Sequence, residues 1–381
     1  MLLKIIALAI AGLVSGGAVA QSNVTISGYF DAALVNSTAD GKNSSWNAAY
    51  GVAGTNQITV KATEDLGGGM KAGVLLETDI RGSGTTYAGG AAHGTNGAAF
   101  GGFQHYIFIE KAGIGDLSFG QRTNMISTSL VTVQPYGTAL GGGDSSGFTR
   151  TRGGGFEAYG VWTATGRDVR PDAAVHFRSA SWSGVSFGID FKPLNNSGPT
   201  STGEDEATSS SGYTGLGINY NNGPLNLTFA QSKASTAFAG GTFSATTGLF
   251  TAAAAYNSSI KNTALGGNYT FGPATVYAGW TSSVADTAVA AGNEADSRSW
   301  NIALKYAVTP TLAITGNYLR DDDKTAADKD RKLFALGLDY SLSKRTTAFA
   351  RYNTQDIDLN GTTGANVGKT TNTAFGLKHS F

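Results

Sequence analysis

The chain has 381 residues, with 27 basic side chains balanced by 27 acidic ones, so its net charge gives no support for nucleic-acid binding. It contains no cysteine, which excludes a disulfide framework and any thiolate metal site. Its 54 glycines follow no G-X-Y period, which excludes collagen, and many segments of strict alternation argue against low-complexity disorder.

In chain order, the first element reads as an export signal. Lys4 precedes an apolar run from Ile5 to Val14, and Ala18-Val19-Ala20 supplies an A-x-A site, so cleavage before Gln21 is expected. The run is about half of the roughly 20 apolar residues that a membrane-spanning helix needs. Residues 21–381 then read as one domain built on period-two alternation. Val24, Ile26, Phe30 and Leu34 alternate with Thr25, Ser27, Tyr29 and Asp31. Ile58 and Val60 alternate with Thr59 and Lys61, ahead of a turn at Asp65-Leu66-Gly67-Gly68-Gly69. Val185, Phe187, Ile189 and Phe191 oppose Ser186, Gly188, Asp190 and Lys192, and Trp300, Ile302, Leu304 and Tyr306 oppose Asn301, Ala303 and Lys305. Phe334, Leu336, Leu338 and Tyr340 oppose Ala335, Gly337 and Asp339. The last run sets Thr373, Phe375, Leu377, His379 and Phe381 on one face, with Ala374, Gly376, Lys378 and Ser380 on the other.

Strands are expected near residues 24–34, 56–65, 71–81, 103–111, 115–123, 171–181, 184–193, 212–221, 225–234, 261–271, 274–284, 296–308, 311–321, 331–341, 344–356 and 370–381, sixteen in all. An apolar face opposite a polar one suits lipid outside and water inside, but periodicity alone does not separate this from a soluble sandwich. The connections help. Tight turns at Asn221-Asn222-Gly223-Pro224, Phe271-Gly272-Pro273, Val308-Thr309-Pro310 and Ser341-Leu342-Ser343 alternate with connections of ten or more residues. Short turns on one rim and long loops on the other mark an outer-membrane barrel. The expected fold is all-β, a 16-stranded antiparallel transmembrane β-barrel with both termini on the short-turn rim and an aqueous lumen. The stretch from Ser235 to Ser259 fits least well, with Thr251 to Tyr256 a candidate extra strand.

Four segments carry a family resemblance: Thr63-Glu64-Asp65-Leu66-Gly67-Gly68-Gly69-Met70-Lys71-Ala72, the stretch Arg170-Pro171-Asp172-Ala173-Ala174-Val175-His176-Phe177-Arg178-Ser179, then Leu338-Asp339-Tyr340-Ser341-Leu342-Ser343-Lys344-Arg345-Thr346, and Gly376-Leu377-Lys378-His379-Ser380-Phe381. With them the chain resembles the trimeric general porins of the beta-proteobacterial outer membrane. The resemblance implies a homotrimer of 16-stranded barrels, each with a water-filled pore narrowed by an inward-folded third long loop. Here that loop is about 124–169, with Asp144, Glu157 and Asp168 against Arg150, Arg152 and Arg167. Loop carboxylates facing wall cations would set a transverse field across a narrow constriction.

Strand parity supplies the wall. If Ile58 and Val60 face lipid, Lys61 faces the lumen; by the same rule Arg170, His176 and Arg178 point inward, and so does Arg122. The resemblance assigns constriction roles to basic residues at Lys61 and Arg170, and a third at the position of Gln104. The uncharged Gln104, together with the inner-face Glu77, weakens the anion preference that the resemblance implies. The outward face of the last strand, Phe375, Leu377, His379 and Phe381, is the expected signal to the barrel-assembly machinery. Outer-membrane lipid and lipopolysaccharide are the expected surroundings, and ions and small hydrophilic solutes the expected passengers.

Catalysis finds little support. Of the four histidines, His93 falls in a loop, His105 and His379 take outward parity, and His176 is expected among cations, which disfavours a base poised by a carboxylate. No G-x-S-x-G, H-E-x-x-H or G-K-[ST] motif is present, and no cofactor or metal is expected. Glu204-Asp205-Glu206 and Asp321-Asp322-Asp323 read as solvated tips of external loops, with divalent cations that bridge to lipopolysaccharide or stabilise the loop as the alternative. Passive diffusion is the leading reading. A substrate-selective channel, or a surface barrel acting as adhesin or receptor through its loops, is the alternative. A sugar track of inward aromatics is not evident, since isolated rings such as Tyr29 and Tyr277 are all that parity turns inward.

Overall fold

The structure is a computed structural model that describes residues 23–39, 43–54, 56–79, 104–137, 139–142, 170–171, 173–193, 209–239, 242–244, 249–251, 255–285, 296–324, 330–357 and 368–381. The expected signal segment, and Asp144 and Glu157 of the long loop, lie outside the described residues.

The strands are β1 (Asn23–Ala39), β2 (Ser45–Tyr50), β3 (Gln57–Gly67), β4 (Met70–Asp79), β5 (Gln104–Lys111), β6 (Gly115–Gln121), β7 (Ala174–Ser179), β8 (Val185–Lys192), β9 (Ser209–Asn222) and β10 (Leu225–Ala239). After a small hairpin of β11 (Thr242–Ser244) and β12 (Leu249–Thr251) come β13 (Ala255–Phe271), β14 (Ala274–Ala285), β15 (Asp296–Ala307), β16 (Leu312–Asp323), β17 (Arg331–Ser341), β18 (Thr346–Ile357) and β19 (Gly368–Ser380). One helix, α1 (Met125–Thr132), interrupts the series after β6.

Each barrel strand pairs antiparallel with its sequence neighbour, and β19 returns to pair with β1 from Tyr29–Ser380 to Ala39–Thr370, so no edge is left open. The other edge of β1 carries β3 along Asn23–Tyr29 and β2 along Ala32–Ser37. These two segments therefore share one place in the ring, and the barrel has the sixteen strands expected. Between them the chain turns off the wall after Tyr50, and β2 itself is absent from the expected strands. The turn is held by Asp31, whose two carboxylate oxygens accept from the backbone N–H of Val52 at 2.8 Å and Ala53 at 3.1 Å. Of the candidate extra strand at Thr251 to Tyr256, Thr251 ends β12, which pairs with β11, Tyr256 belongs to β13, and residues 252–254 lie outside the described residues.

The last residue closes the ring. Phe381 N–H donates to the Gly28 carbonyl at 3.0 Å and Gly28 N–H to the Phe381 carbonyl at 3.1 Å. The ring of Phe381 lies where a side chain on residue 28 would sit, 2.9 Å from the position of a Cβ, so only glycine leaves it room. At the tight turn joining β3 to β4, Gly67, Gly68 and Gly69 all take positive φ, a run that residues with a Cβ would strain to follow.

The outer surface is a continuous apolar band: Ile26, Leu34, Ile107, Phe119, Leu265, Ile302, Phe334 and Leu377 are all exposed. Such a surface is stable against hydrocarbon and costly against water. The inner face is polar or small, with Asp31, Glu77, Ser118, Asn301, Asn353 and Asn372 buried against neighbours in the lumen. Asp321-Asp322-Asp323 corrects the loop-tip expectation, because these residues end β16. Asp321 is buried and accepts from Ser299 Oγ at 2.6 Å, and Asp322 pairs with Lys324 at 2.5 Å.

Candidate functional site

The segment after β6 folds into the lumen and follows the wall. Asn124 caps α1, its side chain accepting from Ser127 N–H at 2.9 Å, and the Met125 N–H donates to Asp190 Oδ2 at 2.8 Å. The helix lies on a belt of small inward residues. A Cβ at Gly188 would stand 2.3 Å from Met125 Sδ and one at Gly217 would stand 2.4 Å from Met125 Cε, while Ala230 and Ala264 join the same buried cluster. Gly on two strands and Ala on the next two thus let a helix approach the sheet without a gap.

Beyond the helix, asparagines of the wall fasten the loop. Asn268 donates to the Thr132 carbonyl at 3.0 Å, Asn301 to Val133 at 2.8 Å and Asn317 to Gly141 at 3.0 Å. Tyr136 donates its hydroxyl to the Thr315 carbonyl at 2.8 Å, and burial pushes the titration of that hydroxyl upward, so it stays a donor. Leu140 N–H reaches the Val52 carbonyl at 2.8 Å, and both side chains sit in a second small core with Val35, Ala49, Phe349 and Ala374. The loop is therefore tied to the wall at intervals from β8 to β17 and meets the inturned segment after β2. Replacing Asn301 with alanine leaves the buried Val133 carbonyl without its donor, a cost of about 1–3 kcal/mol. Hydrogen exchange should quicken around residues 133–137 while the barrel strands keep their protection.

The charged residues of the wall divide into paired and unpaired groups. Arg122 forms an ion pair with Asp116, donates to Ser118 Oγ at 2.9 Å and lies 4.9 Å from the Tyr106 ring centre. Asp190 Oδ1 accepts from Arg178 at 2.6 Å and contacts His176 Nδ1 at 2.7 Å, while Arg178 also donates to the Thr123 carbonyl at 3.1 Å. His176 was expected among cations and facing the pore; instead its ring is fully buried against a carboxylate. Its Nε2 faces the Gly120 carbonyl at 3.2 Å, so both ring nitrogens meet oxygen acceptors. Arg178 and His176 thus brace the root of the loop, beside Met125.

Glu77 is buried and accepts from Gln57 at 2.9 Å, Thr59 at 3.0 Å and Gln104 at 3.1 Å, three neutral donors. The other end of Gln104 accepts from Thr123 N–H at 2.9 Å, so this amide links Glu77 to the loop. Lys61 lies on the inner face with its Nζ 5.2 Å from the Phe108 ring centre, exposed, and among the described residues no carboxylate lies within ion-pair distance of it. Arg170 departs from the parity argument. β7 begins only at Ala174, and Ala173 takes a φ of 50°, so alternation does not carry back to residue 170, which is half-buried ahead of the strand. At the C-terminus, Phe375, Leu377 and Phe381 are exposed on the outer face, and the exposed His379 meets Thr346 Oγ1 through Nδ1 at 3.0 Å.

Sequence reasoning named the bases and missed their acidic partners. Asp116 and Asp190 had inward parity, but contact with Arg122 and with His176 and Arg178 depends on register across strands. A second inward basic group, Lys305, Arg351 and Lys378, was also passed over, although parity alone turned Lys305 and Lys378 inward.

Comparison with known proteins agrees with this geometry. The family model described as Gram-negative porin matches residues 7–360. An outer membrane porin protein of Bordetella pertussis is 26% identical over 373 residues, spanning 88% of this chain and 89% of its own length. Outer membrane porin protein 32 of Delftia acidovorans is 29% identical over 242 residues, covering 62% of this chain and 61% of the relative. Among solved structures, an anion-selective porin from Comamonas acidovorans superposes with a TM-score of 0.70 at 20% identity, covering 95% of this chain and all 100% of its own. The trimer form of OmpT from Vibrio cholerae gives 0.62 at 17% identity, covering 94% and 99% of the two chains. With a family match over nearly its whole length and a closed barrel narrowed from within, the chain belongs to the Gram-negative porins of the outer membrane.

Proposed function

We propose that this porin is a channel for passive diffusion of ions and small hydrophilic solutes, weakly selective for anions, and that it works as a homotrimer. The observation that carries the selectivity is the contrast on one wall: Arg122 and Arg178 are neutralised by Asp116 and Asp190, whereas Lys61 is exposed on the inner face with no such partner among the described residues. An uncompensated cation in a narrow, low-dielectric passage biases the local ion population, but modestly. Gln104 adds no charge, and the inner-face Glu77 is held by three neutral donors, so the bias is weak. Preference for anions in the Comamonas relative, and the trimer form of the Vibrio one, support the same reading.

The inward aromatics argue against a sugar-selective track. Tyr29 is covered by Lys378 Nζ at 4.0 Å and Tyr106 by Arg122 at 4.9 Å, which leaves these faces to cations rather than to sugar rings. The test is Lys61→Glu, which changes the wall by two charges. The reversal potential in a salt gradient should move towards cation preference, and an unchanged potential would remove Lys61 from the conducting path.

A further inference from the structure

Around the wall from Lys61, at the short-turn mouth of the barrel, a cavity of about 370 Å³ is lined by five cations, Lys305, Lys344, Arg345, Arg351 and Lys378. One carboxylate, Asp339, lines it with them, and Asp31 acts on Lys378 from the wall behind. Five positive charges against two negative ones leave a clear excess, in contrast to the paired groups near the loop root. The volume is that of small-molecule sites, about 300–1,000 Å³.

Arg351 forms the floor of this cavity: it is 6% exposed, donates to Asp339 at 2.6 Å and to the Leu338 and Ala350 carbonyls at 3.1 and 3.0 Å, and lies 5.2 Å from the Phe349 ring centre. The donors open to an oxyanion are those of the exposed Lys305, Lys344 and Arg345. The hydroxyls of Thr311, Thr347 and Ser380 line the same space and add neutral donors.

We infer that this mouth holds a binding site for a multiply charged small oxyanion, a phosphate group or a polycarboxylate. Short turns lie on the periplasmic rim of such barrels, so the site would retain such an anion where it leaves the channel. The consequence for current rests on the channel reading above, whereas binding itself does not.

The test separates the two. Isothermal titration of the detergent-solubilised barrel with inorganic phosphate, and separately with citrate, reads the site whether or not the pore conducts. The paired variant Lys305→Gln with Arg345→Gln should weaken binding by about tenfold or more, the scale of a lost charge-assisted hydrogen bond. Lys344→Gln alone serves should that pair not fold. In bilayers, phosphate should reduce chloride current at lower concentration from the short-turn side, which Asn222→Cys, the sole thiol in a cysteine-free chain, identifies by an impermeant reagent. Binding of either probe that weakens in the variant supports the site and assigns its class. Equal affinity in variant and parent, or no binding of either probe, overturns it. A silent channel that still binds phosphate would sink the diffusion reading and leave the site standing.

Discussion

Replacing Asp190 with alanine is expected to cost about 3–5 kcal/mol, the scale of removing one partner from a buried charged group. The carboxylate holds three things at once: His176 at 2.7 Å, Arg178 at 2.6 Å and the Met125 N–H at the start of α1 at 2.8 Å. Without it His176 stays buried with a donor unsatisfied, Arg178 loses its countercharge, and the first turn of the helix loses an anchor that its own N-cap does not replace. Thermal unfolding, or the temperature at which the unheated protein changes mobility in detergent gels, should drop markedly. Single channels should show larger and noisier currents as the loop root loosens. Asp190→Asn keeps an acceptor oxygen and should fall between the two. Melting like that of the parent would mean that the loop root is held elsewhere.

Deleting Phe381 is expected to lower the yield of closed barrel severalfold. Two backbone hydrogen bonds to Gly28 are lost, each worth about 0.5–1.5 kcal/mol net, and more where no water can replace them. The aromatic ring that covers Gly28 goes with them, uncovering backbone on the lipid face. Phe381→Tyr should retain most of the yield because the ring remains, and Phe381→Asp should not, because it puts a charge at the outer surface. The readout is the fraction of heat-modifiable protein after refolding into detergent micelles. Equal fractions for the deletion and the parent would show that closure depends on the rest of β19 alone.

Alternation made the barrel legible because each strand faces lipid and lumen on successive residues, so Ile302 and Asn301 report opposite sides wherever they are read. What the sequence hid depends on contacts between distant residues. The split of β2 from β3 is held by Asp31, some twenty residues earlier in the chain, and its only local signal is the pair Gly51 and Gly54, which turn there with positive φ. The helix in the long loop was hidden by its composition: Met125–Thr132 is rich in Ser, Thr and β-branched residues, which favour helices weakly. Asn124 three residues before Ser127 was the one local hint. For the charged wall, parity gave the face of Lys61, Glu77, Arg122 and Arg178 but not their partners, since Asp190 stands opposite His176 only through the register of β7 on β8. Arg170 shows the converse failure, a parity argument extended past the residue where the strand begins.

The most direct measurement is planar-bilayer conductance of the purified, unheated protein, with the reversal potential taken in a salt gradient. Stepwise openings in groups of three with a modest anion preference are the expected result, following from the proposed homotrimer, a loop tied to its wall and Lys61, which has no ion-pair partner among the described residues. A properly folded barrel that carries no current would contradict the channel, and a clear cation preference would contradict the role given to its inner-wall cations.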